Sequence, residues 1–254
     1  MLQCTGEYEM PRRSRYHPPS SVSQTTLKDL LRRSNRQHLE PNQMSFLDRA
    51  AEKAGASDLP IWCAGNIDLV ERRSIAVIGT RNVTPLGRKR ASKFARELAA
   101  DGIVVVSGLA AGVDVQALGS AMKEGGDVIA VIGTPIDKAY PAANGGLQEE
   151  IYEHHLWVSQ FPIGERTFPS HFPARNRTMA AISDGSVIIE ASETSGTLHQ
   201  AAECVRLGRW LGIAKGVVED EALVSLLIED MIDELGHEVV AAVQDSQQAF
   251  AVLE

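Results

Sequence analysis

A chain of 254 residues with 44% apolar side chains and a formal net charge of -8 can bury one generous core, and its acidic balance excludes a simple polycation as its class. Cys4, Cys63 and Cys204 lie far apart without metal-ligand spacing, which argues against a disulfide framework and for a reducing compartment. The opening MLQCTGEYEMPRRSRYHPPS lacks an apolar h-region and no run is long enough to cross a bilayer, so a cytoplasmic protein without membrane contact is expected.

Where the charge lies matters more than its sum. Residues 1–40 hold seven Lys/Arg against four Asp/Glu, residues 216–254 hold ten acids and no Lys or Arg, and the stretch between is nearly balanced. The expected division is a basic, partly disordered N-terminal extension over 1–55, one main domain over 56–216 and an acidic C-terminal segment over 217–254.

Residues 1 to about 25 mix Pro, Ser and Arg without periodicity, a composition that does not offset its ordering entropy, and are expected to be disordered. Leu27, Leu30 and Leu31, then Met44, Phe46, Leu47, Ala50 and Ala51, predict two short helices broken at Glu40-Pro41. Leu59-Pro60-Ile61-Trp62 ahead of Gly65-Asn66 predicts an entry strand and turn. Residues 75–78 (IAVI) form a continuous apolar run, as expected of a parallel strand with helices over both faces. Gly79-Thr80-Arg81 follows at its carboxyl end. Ligands of such sheets bind outside the carboxyl ends of the strands, which directs attention to 79–81 and to the neighbouring turn 107–112.

Thr84-Pro85 predicts the cap and first position of a helix. Its buried side is Ala91, Phe94, Ala95 and Leu98, and its other side carries Arg88, Lys89, Arg90, Lys93 and Arg96. Cations near a helix N-terminus oppose the macrodipole, so this face is read either as solvated or as lying near phosphate. Residues 103–106 predict the second strand, and Ser107-Gly108-Leu109-Ala110-Ala111-Gly112 turns into a helix from around Asp114. Small residues there let a ligand approach the backbone, and N–H groups at the helix start are expected to hold an anion. Residues 128–132 predict the third strand, ending at Gly133-Thr134-Pro135. Tyr140-Pro141 and Asn144 stand in a loop before a helix of about ten residues, and residues 156–161 predict another strand.

His171-Phe172-Pro173-Ala174-Arg175-Asn176-Arg177 opens the next helix. The dipole disfavours arginines in a first turn, which favours Arg175 and Arg177 as bidentate phosphate ligands over a local salt bridge. Residues 186–189 predict a central strand ending at Glu190, expected to anchor a neighbouring loop or arginine. Thr194-Ser195-Gly196-Thr197 then leads into a helix with Leu198, Ala201, Ala202 and Val205 on one face, closed by Gly208. Residues 210–214 predict the last parallel strand, with Lys215 at its end. The fold class is α/β, a doubly wound, mostly parallel sheet of the extended Rossmann-like type.

Gly79-Thr80-Arg81, Ser107 through the Gly112-Val113-Asp114 turn, Tyr140-Pro141-x-x-Asn144, Phe172-Pro173-x-Arg175-Asn176-Arg177 and Glu190-Ala191-x-x-x-Ser195-Gly196 together resemble the DNA-processing protein A (DprA/Smf) family, in that family's order. The resemblance covers about residues 59–215. It implies single-stranded DNA as the ligand, a homodimer, and a role in loading a RecA-type recombinase during natural transformation. It also implies a phosphate pocket lined by Arg81, Ser107, Gly108, Arg175 and Arg177. With the turns at the same sheet edge, the candidate DNA-binding set is Gly79, Thr80, Arg81, Ser107, Gly108, Gly112, Arg175, Asn176, Arg177, Ser195, Gly196, Thr197 and Lys215. No catalytic residue, metal or cofactor is expected. Leu118, Gly145-Gly146, Gln160 and Thr134-Pro135 depart from the family's pattern and thin out the polar and basic lining.

A second reading belongs to another class, a nucleotide-ligand sensor or a nucleoside monophosphate phosphoribohydrolase similar to the LOG family. It draws on the Ser195-Gly196-Thr197 turn followed by Glu203. His154, His155, His171 and His199 are read as satisfied or solvated rather than as a site. The acidic segment is expected either to lie over the basic helix, competing with phosphate, or to be a solubility or dimer-contact segment.

Overall fold

A computed structural model describes residues 16–34, 58–192, 197–219 and 250–253. The strands are β1 (Ser23–Thr26), β2 (Pro60–Gly65), β3 (Ser74–Gly79), β4 (Val104–Ser107), β5 (Val128–Ile132), β6 (Leu156–Ser159), β7 (Gly185–Glu190), β8 (Trp210–Ala214) and β9 (Phe250–Leu253). The helices are α1 (Leu27–Arg33), α2 (Pro85–Ala100), α3 (Val113–Lys123), α4 (Gly145–His154), α5 (His171–Ile182), α6 (Thr197–Arg206) and the short α7 (Lys215–Val218).

The strands form one nine-stranded sheet in the order β1-β2-β6-β5-β4-β3-β7-β8-β9. The pairs from β6 through β9 are parallel, and β2 joins both β6 and β1 antiparallel. Successive residues point to opposite faces of a strand. Val77, Val105, Ala130 and Val187 accordingly pack under α2, α3 and α4, while Ala76, Val106, Val131 and Ile188 pack against α1, α5 and α6. The chain winds one way from β3 to β6 and the other way from β7 onward. That reversal opens a crevice at the carboxyl ends of β3 and β7, the place where such sheets hold ligands.

Local signals are realised closely. Thr84 caps α2, its hydroxyl accepting from Gly87 N–H, with Pro85 at the first position. Leu27, Leu30 and Leu31 are the buried side of α1, and Gly208 follows α6 with a φ of 62°.

Two expectations need correction. Residues up to about 25 were expected to lack structure, yet Ser23–Thr26 pairs with β2, and Tyr16 and His17 are bonded to the body of the domain. The Tyr16 hydroxyl donates to Ile136 O at 2.9 Å and accepts from Gln148 Nε2 at 2.9 Å, and His17 N–H donates to Glu149 Oε1 at 2.8 Å. Long-range bonds supply the ordering that composition does not. Nor is β8 the last parallel strand, because β9, from within the acidic segment, extends the sheet. The predicted helix over 44–51 and the acidic stretch over 220–249 lie outside the described residues.

Candidate functional site

The crevice consists of two adjoining hollows of about 210 and 640 Å³ that share Arg81, Ala110, Tyr140, Phe172 and Arg175 in their walls. Gly79, Thr80, Asn176 and Thr197 line the larger hollow, and Gly108 lines the smaller. Arg81 and Arg175, 94 positions apart in sequence, therefore meet at one rim.

Arg175 comes from the second turn of α5 and is buried, with 6% of its surface exposed. Its Nη1 donates to Val131 O at 3.0 Å, and its Nε, also buried, has no hydrogen-bond partner. Gly108 makes its position possible, since a Cβ there would stand 1.3 Å from Nη1. Burial lowers the guanidinium pKa, the Asp114 carboxylate raises it and the Arg81 charge lowers it further, so a second anion near Arg175 would be welcome electrostatically.

The turn between β4 and α3 departs from expectation. Two of its N–H groups are turned onto Asp114 instead of toward an outside anion: Oδ2 accepts from Ala110 N–H at 3.3 Å, and Gly108 N–H also reaches this carboxylate. Burial raises the Asp114 pKa, against the Arg175 charge and these N–H groups. The turn is held in a costly shape. Leu109 is fully buried with φ 57°, in the left-handed region a leucine rarely adopts, and Asn144 Nδ2 pins its carbonyl at 2.8 Å. Gly112 has φ 90°, and a Cβ there would lie 2.3 Å from Thr80 O.

The mouth of the crevice is aromatic. Arg81 is exposed and lies over the Phe172 ring at 5.5 Å, while Tyr140, 45% exposed, has its ring 5.4 Å from the same ring at 39°. Gly133 gives Phe172 its seat, a Cβ there meeting the ring at 2.7 Å. Sequence reasoning passed over both rings; the signal was their place inside the Y-P-x-x-N and F-P-x-R-N-R segments, not the chain's aromatic content.

The other candidate residues fall elsewhere. Ser107 is fully buried beneath the crevice, its hydroxyl donating to Val77 O at 2.7 Å. Arg177 turns away from the crevice onto α6, where its Nε donates to Glu203 Oε1 at 2.8 Å, and Arg206 binds the other oxygen of that buried carboxylate. The local salt bridge is thus the arrangement found at Arg177. Lys215 is exposed, 4.0 Å from Glu219, and lines neither hollow. Ser195 and Gly196 lie outside the described residues. Glu190 anchors a loop as expected, accepting from Thr84 N–H at 2.9 Å and Thr84 Oγ1 at 2.6 Å at the start of α2.

The departures noted in sequence have structural places. Leu118 is core, Gln160 Oε1 accepts from Thr178 Oγ1 at 2.5 Å, and Gly145 lies beside Tyr16, where a Cβ would make only an ordinary contact at 3.6 Å. Burial pushes the Cys63 thiol up to about 12 and the Cys204 thiol up to about 11, which suits inert core residues. Among the described residues there is no cluster suited to a metal ion and no helix long and apolar enough to cross a membrane.

The fold and the crevice define a Rossmann-like protein with a cationic, aromatic-rimmed cleft at the topological switch point of its sheet. Residues 47–247 match the family model for DNA recombination-mediator protein A, and the chain belongs to that family. It is 39% identical over 165 residues to DNA processing protein DprA of Streptococcus pneumoniae (strain ATCC BAA-255 / R6), covering 64% of this chain and 58% of that protein. It is 31% identical over 161 residues to DNA processing protein DprA of Bacillus subtilis (strain 168), covering 63% and 54%. The chain thus spans somewhat over half the length of these relatives. The X-ray structure of the S. pneumoniae protein superposes with a TM-score of 0.67 at 29% identity, over 92% of this chain and 72% of that one. DNA processing protein A from Helicobacter pylori, whose structure was described for its single-stranded DNA binding mode, gives 0.61 at 27% identity, over 74% and 88%.

Proposed function

We propose that the chain binds single-stranded DNA at this crevice, as a DNA-processing protein without catalytic chemistry of its own. The observation that carries the reading is the meeting of two cations and two rings, Arg81 and Arg175 with Tyr140 and Phe172, at one opening. Single strands are held by positive grooves that follow the phosphates and by aromatic faces on which bases stack. Arg81, exposed and without an ion-pair partner among the described residues, is the phosphate ligand in this reading, and Arg175 sets the potential from below. Phe172 and Tyr140 offer the stacking faces. Asp114 takes up the Ala110 and Gly108 N–H groups, which shifts the weight of phosphate recognition toward side chains.

Glu203 fits a structural role better than a hydrolytic one, since both its oxygens are engaged by Arg177 and Arg206. The family resemblance read in the sequence implies, in addition, a homodimer that assists a RecA-type recombinase in DNA uptake, and the family's description as a recombination mediator accords with the recombination part of that role.

The test is oligothymidylate binding by fluorescence anisotropy across a salt series. Arg81→Ala is expected to weaken binding about tenfold and to make the log K against log salt slope shallower by about 0.7, one phosphate contact on a single strand. Phe172→Ala removes a stacking face worth about 1–3 kcal/mol per base. Binding that ignores salt, or that survives Arg81→Ala unchanged, overturns the reading.

A further inference from the structure

Helix α2 carries more positive charge than the fold uses. Arg88, Lys89, Arg90, Lys93 and Arg96 share it with one acid, Glu97, which stands 3.8 Å from Lys93. Arg88, Lys89 and Lys93 are exposed, and Arg88, Lys89, Arg90 and Arg96 have no ion-pair partner among the described residues. No acid lies in the first turn to suit the dipole; the Glu190 carboxylate on Thr84 is the anion at that end.

The position of this surplus ties it to the crevice. Asn82 lines the larger hollow, Thr84 caps α2, and Arg88 N–H bonds Thr84 O at 2.9 Å, so the basic row begins one helical turn from the crevice rim. From Arg88 to Arg96 it runs about 12 Å along the helix axis, enough to meet more than one phosphate. Phe94 packs against the core instead of joining the exposed row, so the row offers charge without a stacking face.

We propose that this outer face of α2 is a second phosphodiester-contacting surface, taking the single strand as it leaves the crevice past Arg81. The proposal rests on the reading of the crevice as a single-strand site. Contact there is to backbone alone, so it lengthens the bound segment and steepens the salt dependence without adding base preference.

The test uses the full chain with Arg88 and Lys93, both exposed, changed to Gln, and oligothymidylates of about six and about twenty nucleotides. Measurements at physiological salt, where the screening length is about 8 Å, limit action at a distance. The double variant is expected to melt as the parent does and to bind the long oligonucleotide about five- to tenfold more weakly. Its salt slope should be shallower by about 1.4, two single-strand phosphate contacts, while the short oligonucleotide stays within about twofold. Equal losses for both lengths mark a diffuse field, no loss for either marks a merely solvated face, and tighter binding of both marks a face covered by the chain's own acidic segment. Each of these overturns the proposal. Loss of short-oligonucleotide binding in Arg81→Ala tests the crevice separately, so the two readings fail independently.

Discussion

At the amino ends of the parallel strands, Arg72, just ahead of β3, is closed by the carboxylate of Asp127, ahead of β5, and by the carbonyl of Gly102 at 3.1 Å. The same carboxylate meets His155 Nδ1 at 3.2 Å, and Asp184 accepts from Ser74 N–H at 2.8 Å, so strand starts are stitched by carboxylates. At the carboxyl ends Arg81 leans on a ring and Arg175 on a carbonyl, while Asp114, the nearby carboxylate, is occupied by a turn. Arg72 is neutralised internally, whereas Arg81 and Arg175 are left without a carboxylate hydrogen bond and Gly108 makes room for the second of them. Arg73 at the amino edge is also exposed and without an ion-pair partner among the described residues, so the binding edge is marked by the convergence of such cations on one hollow, not by how many arginines it holds. Arg175 and Arg177 repeat the lesson two residues apart, one at the crevice and one tied to Glu203.

The largest expected effect comes from closing the space that Arg175 occupies. Gly108→Ala puts a methyl group where Nη1 stands, displacing a buried cation from its carbonyl. We expect a stability loss of about 3 kcal/mol in thermal or denaturant unfolding and at least tenfold weaker DNA binding. Unchanged melting and binding would mean the guanidinium is not locked at the rim. Arg177→Ala makes the contrasting case. It removes a partly exposed partner of Glu203 while Arg206 remains, so we expect about 1 kcal/mol of stability and unaltered DNA affinity. A loss of affinity like that of Arg81→Ala would erase the distinction between the two arginines.

What was legible in the sequence was local. The Thr84-Pro85 start of α2, the bounds of β5 at Val128–Ile132 and the buried side of α1 each follow from a few adjacent residues. The order of Tyr16 and His17 was not, because it depends on partners more than a hundred positions away on α4 and on the loop before it, and that of Ser23–Thr26 depends on pairing with β2, 34 to 40 positions on. Arg81 was legible through the rule that ligands sit at carboxyl ends, and its pairing with Arg175 through the family resemblance. Residues i and i+2 of a helix do not face the same way, so the separation of Arg177 from Arg175 follows from their spacing alone. The aromatic mouth was hidden because 5% aromatic content says nothing about where rings gather.

A smaller effect is expected behind the crevice wall. The loop carrying Tyr140 is fastened from outside by the Tyr16 hydroxyl on Ile136 O and by Gln148 Nε2 on Lys138 O at 2.9 Å. Tyr16→Phe keeps the ring and removes the hydroxyl, at a cost of about 1 kcal/mol in unfolding. We expect DNA affinity to fall no more than about threefold; a larger drop would move the strap from support of the wall to part of the site.

The smallest effect is at the amino edge and concerns pH. Burial lowers the His155 pKa from its usual 6.5, with the Asp127 hydrogen bond pulling the other way. Between the lowered native value and the ordinary unfolded one, the unfolded chain binds more protons, so acidification favours unfolding. The stabilising contribution is therefore present above about pH 6.5 and lost as pH falls through the native value. His155→Gln cannot titrate, and its melting temperature should fall less steeply than the parent's over that window. Parallel curves would show that His155 protonates equally easily in both states. Because His155 lies at the amino edge, away from the crevice, the pH dependence of DNA binding should be the same in parent and variant; a change there would couple the two edges that the structure keeps apart.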